Sequence, residues 1–203
     1  MRIRNCTIRI NPGFILTLSC TIFLVGFQNT ILVLVAVLLH ELGHIAAIYA
    51  FGGGITSITA GAAGLEIGYA GRFSYRADVI AALSGPAASL LAAVAFSYMG
   101  CFFKLEQLLL FSGINLIYCL FNLIPAGAAD GGRAVFAVTA ALFGPFTAEK
   151  TSYVLDVLCF FTVLATGIYV FAKSGGNLTL ILCAILLAEV SCKRLKNSVK
   201  FLT

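Results

Sequence analysis

The stretch ILVLVAVLLHELGHIAAIYAF, from Ile31 to Phe51, decides the fold. Crossing the hydrocarbon core of a bilayer takes about 20 mostly apolar residues in a helix, so this stretch predicts a membrane span. Its apolar run is interrupted by His40, Glu41 and His44. Ionisable side chains inside a span are costly and are usually functional. The three polar residues therefore indicate a chemical site within a membrane helix.

The composition of the whole chain agrees with this interpretation. Of its 203 residues 61% are hydrophobic and 10% are charged, whereas a soluble domain carries about 25% charged residues. We predict an all-α polytopic membrane protein, a single membrane-embedded domain over residues 1–203. The net charge of +5 does not indicate a nucleic-acid partner, because no basic run is dense enough. The seven cysteines are scattered and suggest no disulfide framework.

About six transmembrane helices are predicted from the apolar stretches. They run over Gly13–Phe27, Ile31–Phe51, Val79–Phe103, Leu108–Leu123, Val154–Ala172 and Leu178–Cys192. Six spans place both termini on one side of the membrane. That side then holds every lysine and arginine except Lys104 and Lys173. By the positive-inside rule, the chain is predicted to be a multi-pass cell-membrane protein with both termini in the cytosol.

The segment after the second span has a different pattern. Glycines are frequent between Gly52 and Arg76, and Leu65, Ile67 and Tyr69 alternate with smaller or polar residues. Alternation interrupted by glycine is typical of a β-hairpin. We therefore expect a short membrane-associated hairpin from Gly54 to Tyr75, on the cytosolic side.

The polar residues of the second span have the spacing of a zinc site. His40 and His44 are one helical turn apart and lie on one face. Two imidazoles so placed can bind one zinc ion, and Glu41 is close enough to take a proton from water at the metal. The chain contains no other histidine. The motif predicts a catalytic rather than a structural metal, with Glu41 as the general base.

A catalytic zinc usually has three protein ligands and water. Without a third histidine, a carboxylate is the next choice, and Asp130 stands after the fourth span in Asp130-Gly-Gly-Arg133. From spacing alone, two interpretations stay open: Asp130 is a ligand, or it caps a following helix. Asn122 is equally open, since it either joins helices by hydrogen bonds or faces the metal.

Together these motifs resemble the site-2 protease family of membrane-embedded zinc metalloproteases. That family pairs H-E-x-x-H in one span with N-x-x-P-x-x-x-x-D-G in a later one, and here the second motif begins at Asn122 and reaches Asp130. The resemblance implies that Asp130 is the third ligand of one zinc ion per chain. It also implies that Asn122 helps to orient the substrate or the developing oxyanion, and that the hairpin clamps the substrate.

Within the family, the chain most resembles the stage IV sporulation protein FB group, which has six spans and cytosolic termini. That group implies a membrane-associated protein substrate such as a sigma-factor pro-sequence, with regulatory membrane proteins or a homo-oligomer as further partners in the lipid bilayer. Three departures are visible. The chain is expected to lack a CBS domain, Ser89 stands where relatives often have Asn, and Ala126 to Ala129 replace a bulkier stretch.

Two other functions compete with proteolysis. A metal-binding membrane protein or transporter without catalysis would explain His40, His44 and Asp130, but it gives Glu41 no role. A catalytically inactive scaffold is less consistent with the presence of all three ligands and Glu41. A comparison of zinc content with the activity of a Glu41→Gln variant separates these functions.

Overall fold

The computed structural model describes residues 2–3, 6–62, 64–71, 73–127, 129–174 and 184–185. The chain divides into two compact units, Met1–Asn122 and Leu123–Thr203. Most of the described residues are helical, as predicted. Most of the predicted sixth span, Leu178–Cys192, lies outside the described residues, so the count of six spans stays a prediction.

Among its described residues, the first unit contains four helices and a sheet. The helices are α1 (Pro12–Val25), α2 (Phe27–Ala50), α3 (Tyr75–Phe103) and α4 (Glu106–Asn122). Both α2 and α3 are long and apolar enough to cross a membrane. Helix α1 has 14 residues, about 21 Å at 1.5 Å per residue, which is less than a hydrocarbon core of about 30 Å. Large apolar side chains such as Leu91 point outward from these helices, as in a membrane protein.

In the part of the chain that the structure describes, the sheet has four strands, in the order β1 (Arg2–Ile3), β2 (Cys6–Ile10), β3 (Gly54–Gly61) and β4 (Gly64–Ala70). Strands β3 and β4 are antiparallel, which confirms the predicted hairpin. The hairpin is nevertheless part of a larger sheet, because β2 pairs with β3 in parallel. In β2, apolar residues alternate with Thr7 and Arg9, which is the two-residue period of a strand.

Small residues bring α2 and α3 into close contact. A side chain at Gly43 would collide with the Ser84 carbonyl oxygen and would place its Cβ 2.8 Å from the Cβ of Ala88. Glycine and alanine at such positions let two membrane helices pack backbone to backbone. The glycine inside the H-E-L-G-H motif therefore positions α3 directly beside the two histidines.

The second unit contains α5 (Asp130–Phe143) and α6 (Pro145–Ser174) among its described residues. Helix α4 ends at Asn122, as Pro125 and Gly127 predict. Helix α5 lay in no predicted span. Helix α6 begins at Pro145, well before the predicted fifth span, Val154–Ala172, and is also long and apolar enough to cross a membrane.

Candidate metal centre

Helix α2 holds the two histidines with their metal-binding nitrogens facing each other. The Nε2 atoms of His40 and His44 are 3.1 Å apart, and the two residues are 1% and 6% exposed. Two nitrogens bound to one tetrahedral zinc ion at 2.0–2.1 Å would lie about 3.3 Å apart. The pair is therefore spaced to bind a single zinc ion. Glu41 follows His40 on the same helix and is also buried.

Helix α3 orients both imidazole rings through their other nitrogens. His44 Nδ1 lies 2.7 Å from the Ala81 carbonyl oxygen, and His40 Nδ1 lies 3.0 Å from Ser89 Oγ. Because a carbonyl only accepts, the His44 proton is on Nδ1 and the lone pair of Nε2 is available to a metal. The Ser89 hydroxyl can accept from His40 Nδ1 in the same way. The contact with Ala81 thus holds His44 in the tautomer that presents Nε2 to a metal ion, and the contact with Ser89 is compatible with the same tautomer of His40.

Gly85 keeps the space beside the two histidines open. A Cβ at this position would collide with His44 Nε2 and would lie 2.7 Å from His40 Nε2. Only a residue without a side chain therefore fits where α3 passes the metal-binding nitrogens. This glycine therefore shapes the site as well as allowing close helix packing.

The contact between Ser89 and His40 leads to a testable expectation. Ser89→Ala removes the acceptor for His40 Nδ1, so the ring loses one of its orienting contacts. Loss of such a partner usually lowers metal affinity by about 10- to 100-fold. We expect a loss of this size in a competition titration with a chromophoric chelator, and recovery in Ser89→Asn, whose amide oxygen can accept the same bond. Ser97→Ala is the control, because it makes the same chemical change at an exposed position of α3, eight residues after Ser89. Equal zinc affinity in Ser89→Ala and the wild type would contradict this role.

Asp130 is the first residue of α5. The N-cap residue is Ala129, so Asp130 is not the N-cap of α5. Its Oδ1 lies 3.4 Å from Arg133 Nη1. His40, His44 and Asp130 form a buried group that could hold a metal ion, since each offers one ligand atom and these atoms lie within 4.8 Å of one another.

A polar stripe along α4, formed by Ser112, Asn115 and Asn122, has mixed roles. Asn122 ends the helix and donates from Nδ2 to the Tyr118 carbonyl oxygen at 3.0 Å, so its part in catalysis stays a prediction. Ser112 donates to the Ala93 carbonyl oxygen of α3 at 2.6 Å, which is the interhelical hydrogen bond expected in a membrane bundle. Asn115 is fully buried and donates to Phe111 O of its own helix.

Sequence reasoning missed one aromatic residue at the site. The ring of Tyr118 packs edge-on against His40, with centroids 4.7 Å apart and an interplanar angle of 78°. Tyr118 lies three residues after Asn115 and four before Asn122, so it is on the same face of α4 as these two residues. The helical period of the polar stripe could therefore have predicted its position. The role of the Ala81 carbonyl had no such signal, because a backbone acceptor can belong to any residue.

Known proteins agree with this architecture at the level of the fold. The structure is similar to that of a site-2 protease from Methanocaldococcus jannaschii, with a TM-score of 0.75 and 24% sequence identity. The match covers 95% of this chain and 92% of that chain. By sequence, no protein-family model and no curated protein matches the chain. The chain thus has the fold of a site-2 protease, as its motifs predicted, while membership of the stage IV sporulation protein FB group stays a prediction.

Proposed function

We propose that the chain is an intramembrane zinc metalloendopeptidase of the site-2 protease type. The observation that carries the proposal is the pair of buried histidines with Nε2 atoms 3.1 Å apart, followed directly by Glu41, in a helix that is apolar enough to cross a membrane. Two imidazoles and a carboxylate are costly to bury in a membrane helix, and ionisable residues in such helices are usually functional rather than structural.

Three protein ligands leave room for chemistry at the metal. His40 and His44 supply two, and we assign the third to Asp130, whose grouping with the histidines supports it. A structural zinc site is usually closed by four protein ligands, whereas a site with three keeps one position open. When bound, one zinc ion per chain supplies Lewis acidity to a water molecule and to the scissile carbonyl.

Glu41 completes the proposed reaction as the general base. Its carboxylate takes a proton from the attacking water and can then donate that proton to the amide nitrogen that leaves. Because Glu41 lies beside His40 on the same helix and is 8% exposed, the proton stays in an environment with little competing solvent. We assign Asn122 to the orientation of the substrate or of the developing oxyanion, on the resemblance of its motif alone.

The proposed substrate is a membrane-associated protein. A helix hides its amide groups in internal hydrogen bonds, so a substrate must become extended before it can be cut. Strand β4 ends the sheet of the described residues, with β3 as its neighbour. An extended substrate segment could add to this edge by main-chain hydrogen bonds. The hairpin would then hold the substrate strand while Glu41 acts.

We further propose that cleavage occurs near the cytosolic face. His40 is 13 residues beyond the first residue of α2, Phe27, or about 20 Å at 1.5 Å per residue. With the charge distribution predicting cytosolic termini, the amino end of α2 is the outer end. The histidines then lie in the cytosolic half of a core about 30 Å thick. The product would be a cytosolic fragment of a tethered regulator, such as a sigma factor freed from its pro-sequence.

Inside-out membrane vesicles provide a test of both activity and side. The vesicles would contain the chain and single-span candidate substrates that carry a tag on their cytosolic end. We expect a shortened, tagged fragment in the supernatant, its loss after treatment with a zinc chelator, and its return when zinc is added. Cleavage that continues unchanged at full chelation would contradict a metalloprotease, and a tag that stays with the membrane in a cleaved substrate would contradict release to the cytosol.

A further inference from the structure

Asp156 is a buried carboxylate that the proposed chemistry does not use. The sequence places it near the start of an apolar stretch, where a carboxylate is expected to be interfacial. In the structure α6 begins at Pro145, and Asp156 lies within this helix with an exposure of 6%. A carboxylate buried in an apolar helix is costly and usually serves a function. Its position therefore requires a physical reason.

That reason lies in the turn between α4 and α5. Asp156 Oδ1 accepts a hydrogen bond from the backbone N–H of Gly127 at 2.5 Å. Gly127 lies in the segment that leads from Asn122 to Asp130, and in the same turn Ala129 N–H donates to Ala126 O at 2.8 Å. Where water is excluded, an unpaired N–H is expensive. Asp156 thus ties α6 to the segment that carries Asp130.

Two glycines at the start of α5 pack closely against the turn that Asp156 contacts. A Cβ at Gly131 would lie 2.8 Å from the Ile124 carbonyl oxygen, and one at Gly132 would lie 2.7 Å from Gly127 N. The first turn of α5 is therefore packed backbone to backbone on the turn that Asp156 holds. Asp130 is the residue directly before these glycines, so a shift of the turn would also move Asp130.

We propose that Asp156 is a positioning residue for the metal site. By accepting from Gly127 N–H, it fixes the turn on which the first residues of α5 rest, and so it holds Asp130 in place to bind the ion. This inference rests on the proposed function, because it takes Asp130 to be a ligand. It differs from a ligand role for Asp156 itself, whose bond is to a backbone amide of the turn. A ligand displaced by about 1 Å is a common cause of a weak site.

The test compares zinc affinities of purified full-length variants in a competition titration with a chromophoric chelator. Asp156→Ala removes the acceptor and should lower the affinity by about 10- to 100-fold, as for other partners that orient ligands. Asp156→Asn keeps an amide oxygen that can accept from Gly127 N–H, so it should stay within a few-fold of the wild type. The cobalt-substituted protein should show a changed visible spectrum in Asp156→Ala and an unchanged one in Asp156→Asn.

The same helix offers a matched control. Ser152 lies one turn before Asp156, is 5% exposed, and its Oγ has no hydrogen-bond partner among the described residues. Ser152→Ala alters the same buried face of α6 and should leave zinc affinity unchanged. A loss in Ser152→Ala as large as in Asp156→Ala would show that packing of α6, rather than the hydrogen bond, is responsible, and would overturn the proposal.

A change on the donor side keeps the test decisive if Asp156→Ala is poorly folded. Gly127→Pro removes the N–H that donates to Asp156, so it should by itself lower zinc affinity by about 10- to 100-fold. In a double-mutant cycle, Asp156→Ala combined with Gly127→Pro should lower the affinity no more than Gly127→Pro alone, because both changes act on one bond. Wild-type affinity in Asp156→Ala or in Gly127→Pro, or additive losses in the double variant, would overturn the proposal. Asp130→Ala distinguishes failure of the proposed ligand set from failure of this inference. If Asp130→Ala binds zinc like the wild type, the ligand set is wrong. If Asp130→Ala loses zinc affinity but Asp156→Ala does not, only the role of Asp156 is wrong.

Discussion

Glu41→Gln is expected to slow proteolysis by about 10²- to 10⁴-fold while zinc stays bound, because glutamine keeps the size and polarity of the side chain but cannot accept the proton. The two histidines contact α3 through Nδ1, at Ser89 Oγ and Ala81 O. Their orientation should therefore survive the substitution. Zinc content and cleavage are measured on the same preparation, so that a loss of metal cannot be mistaken for a loss of the base.

Glu149→Gln is the matched control, since it makes the same chemical change at an exposed position of α6. It should cleave like the wild type. A Glu41→Gln variant within a few-fold of wild-type activity would remove Glu41 from the mechanism. If no cleavage of any candidate substrate is found in the wild type although zinc is bound, a metal-binding or transport function becomes the better explanation of the site.

Much of the site could be predicted because its signals are local. His40 and His44 are one turn apart on one helix, and helical geometry alone puts them on one face. The apolar surroundings make such a pair informative, since random polar residues are rare within spans. The hairpin of β3 and β4 was visible for the same reason: a strand alternates over a few residues and glycines mark its ends.

What the sequence concealed depends on contacts between distant segments. The pairing of β2 with β3 joins residues on either side of α1 and α2, and no local pattern identifies the partner of a parallel strand. The role of Ser89 emerges only because Gly43 lets α3 approach α2 closely enough for Ser89 to reach His40. The burial of Asp156 was not visible in the sequence, because α6 extends further toward its amino end than hydropathy indicates.

Removal of a ligand should have the largest effect on zinc affinity. His44→Ala and Asp130→Ala are each expected to lower zinc affinity by more than about 100-fold, since even loss of a partner that merely orients a ligand costs 10- to 100-fold. His44→Ala also leaves the Ala81 carbonyl oxygen without its imidazole donor. Proteolysis should fall with the metal, to background in both variants.

Asp78→Ala is the control for Asp130→Ala, because Asp78 also lies in the first turn of a helix, α3, but contacts Tyr69 rather than the histidines. It should keep about one zinc per chain, as three protein ligands plus water require.

The variant Asp130→Asn adds a finer distinction: it keeps an oxygen donor but loses the charge, so its affinity should lie between those of Asp130→Ala and the wild type. Normal zinc binding in His44→Ala would show that the metal site is not the one proposed on α2. Normal binding in Asp130→Ala alone would leave the histidine pair in place and require another group as the third ligand.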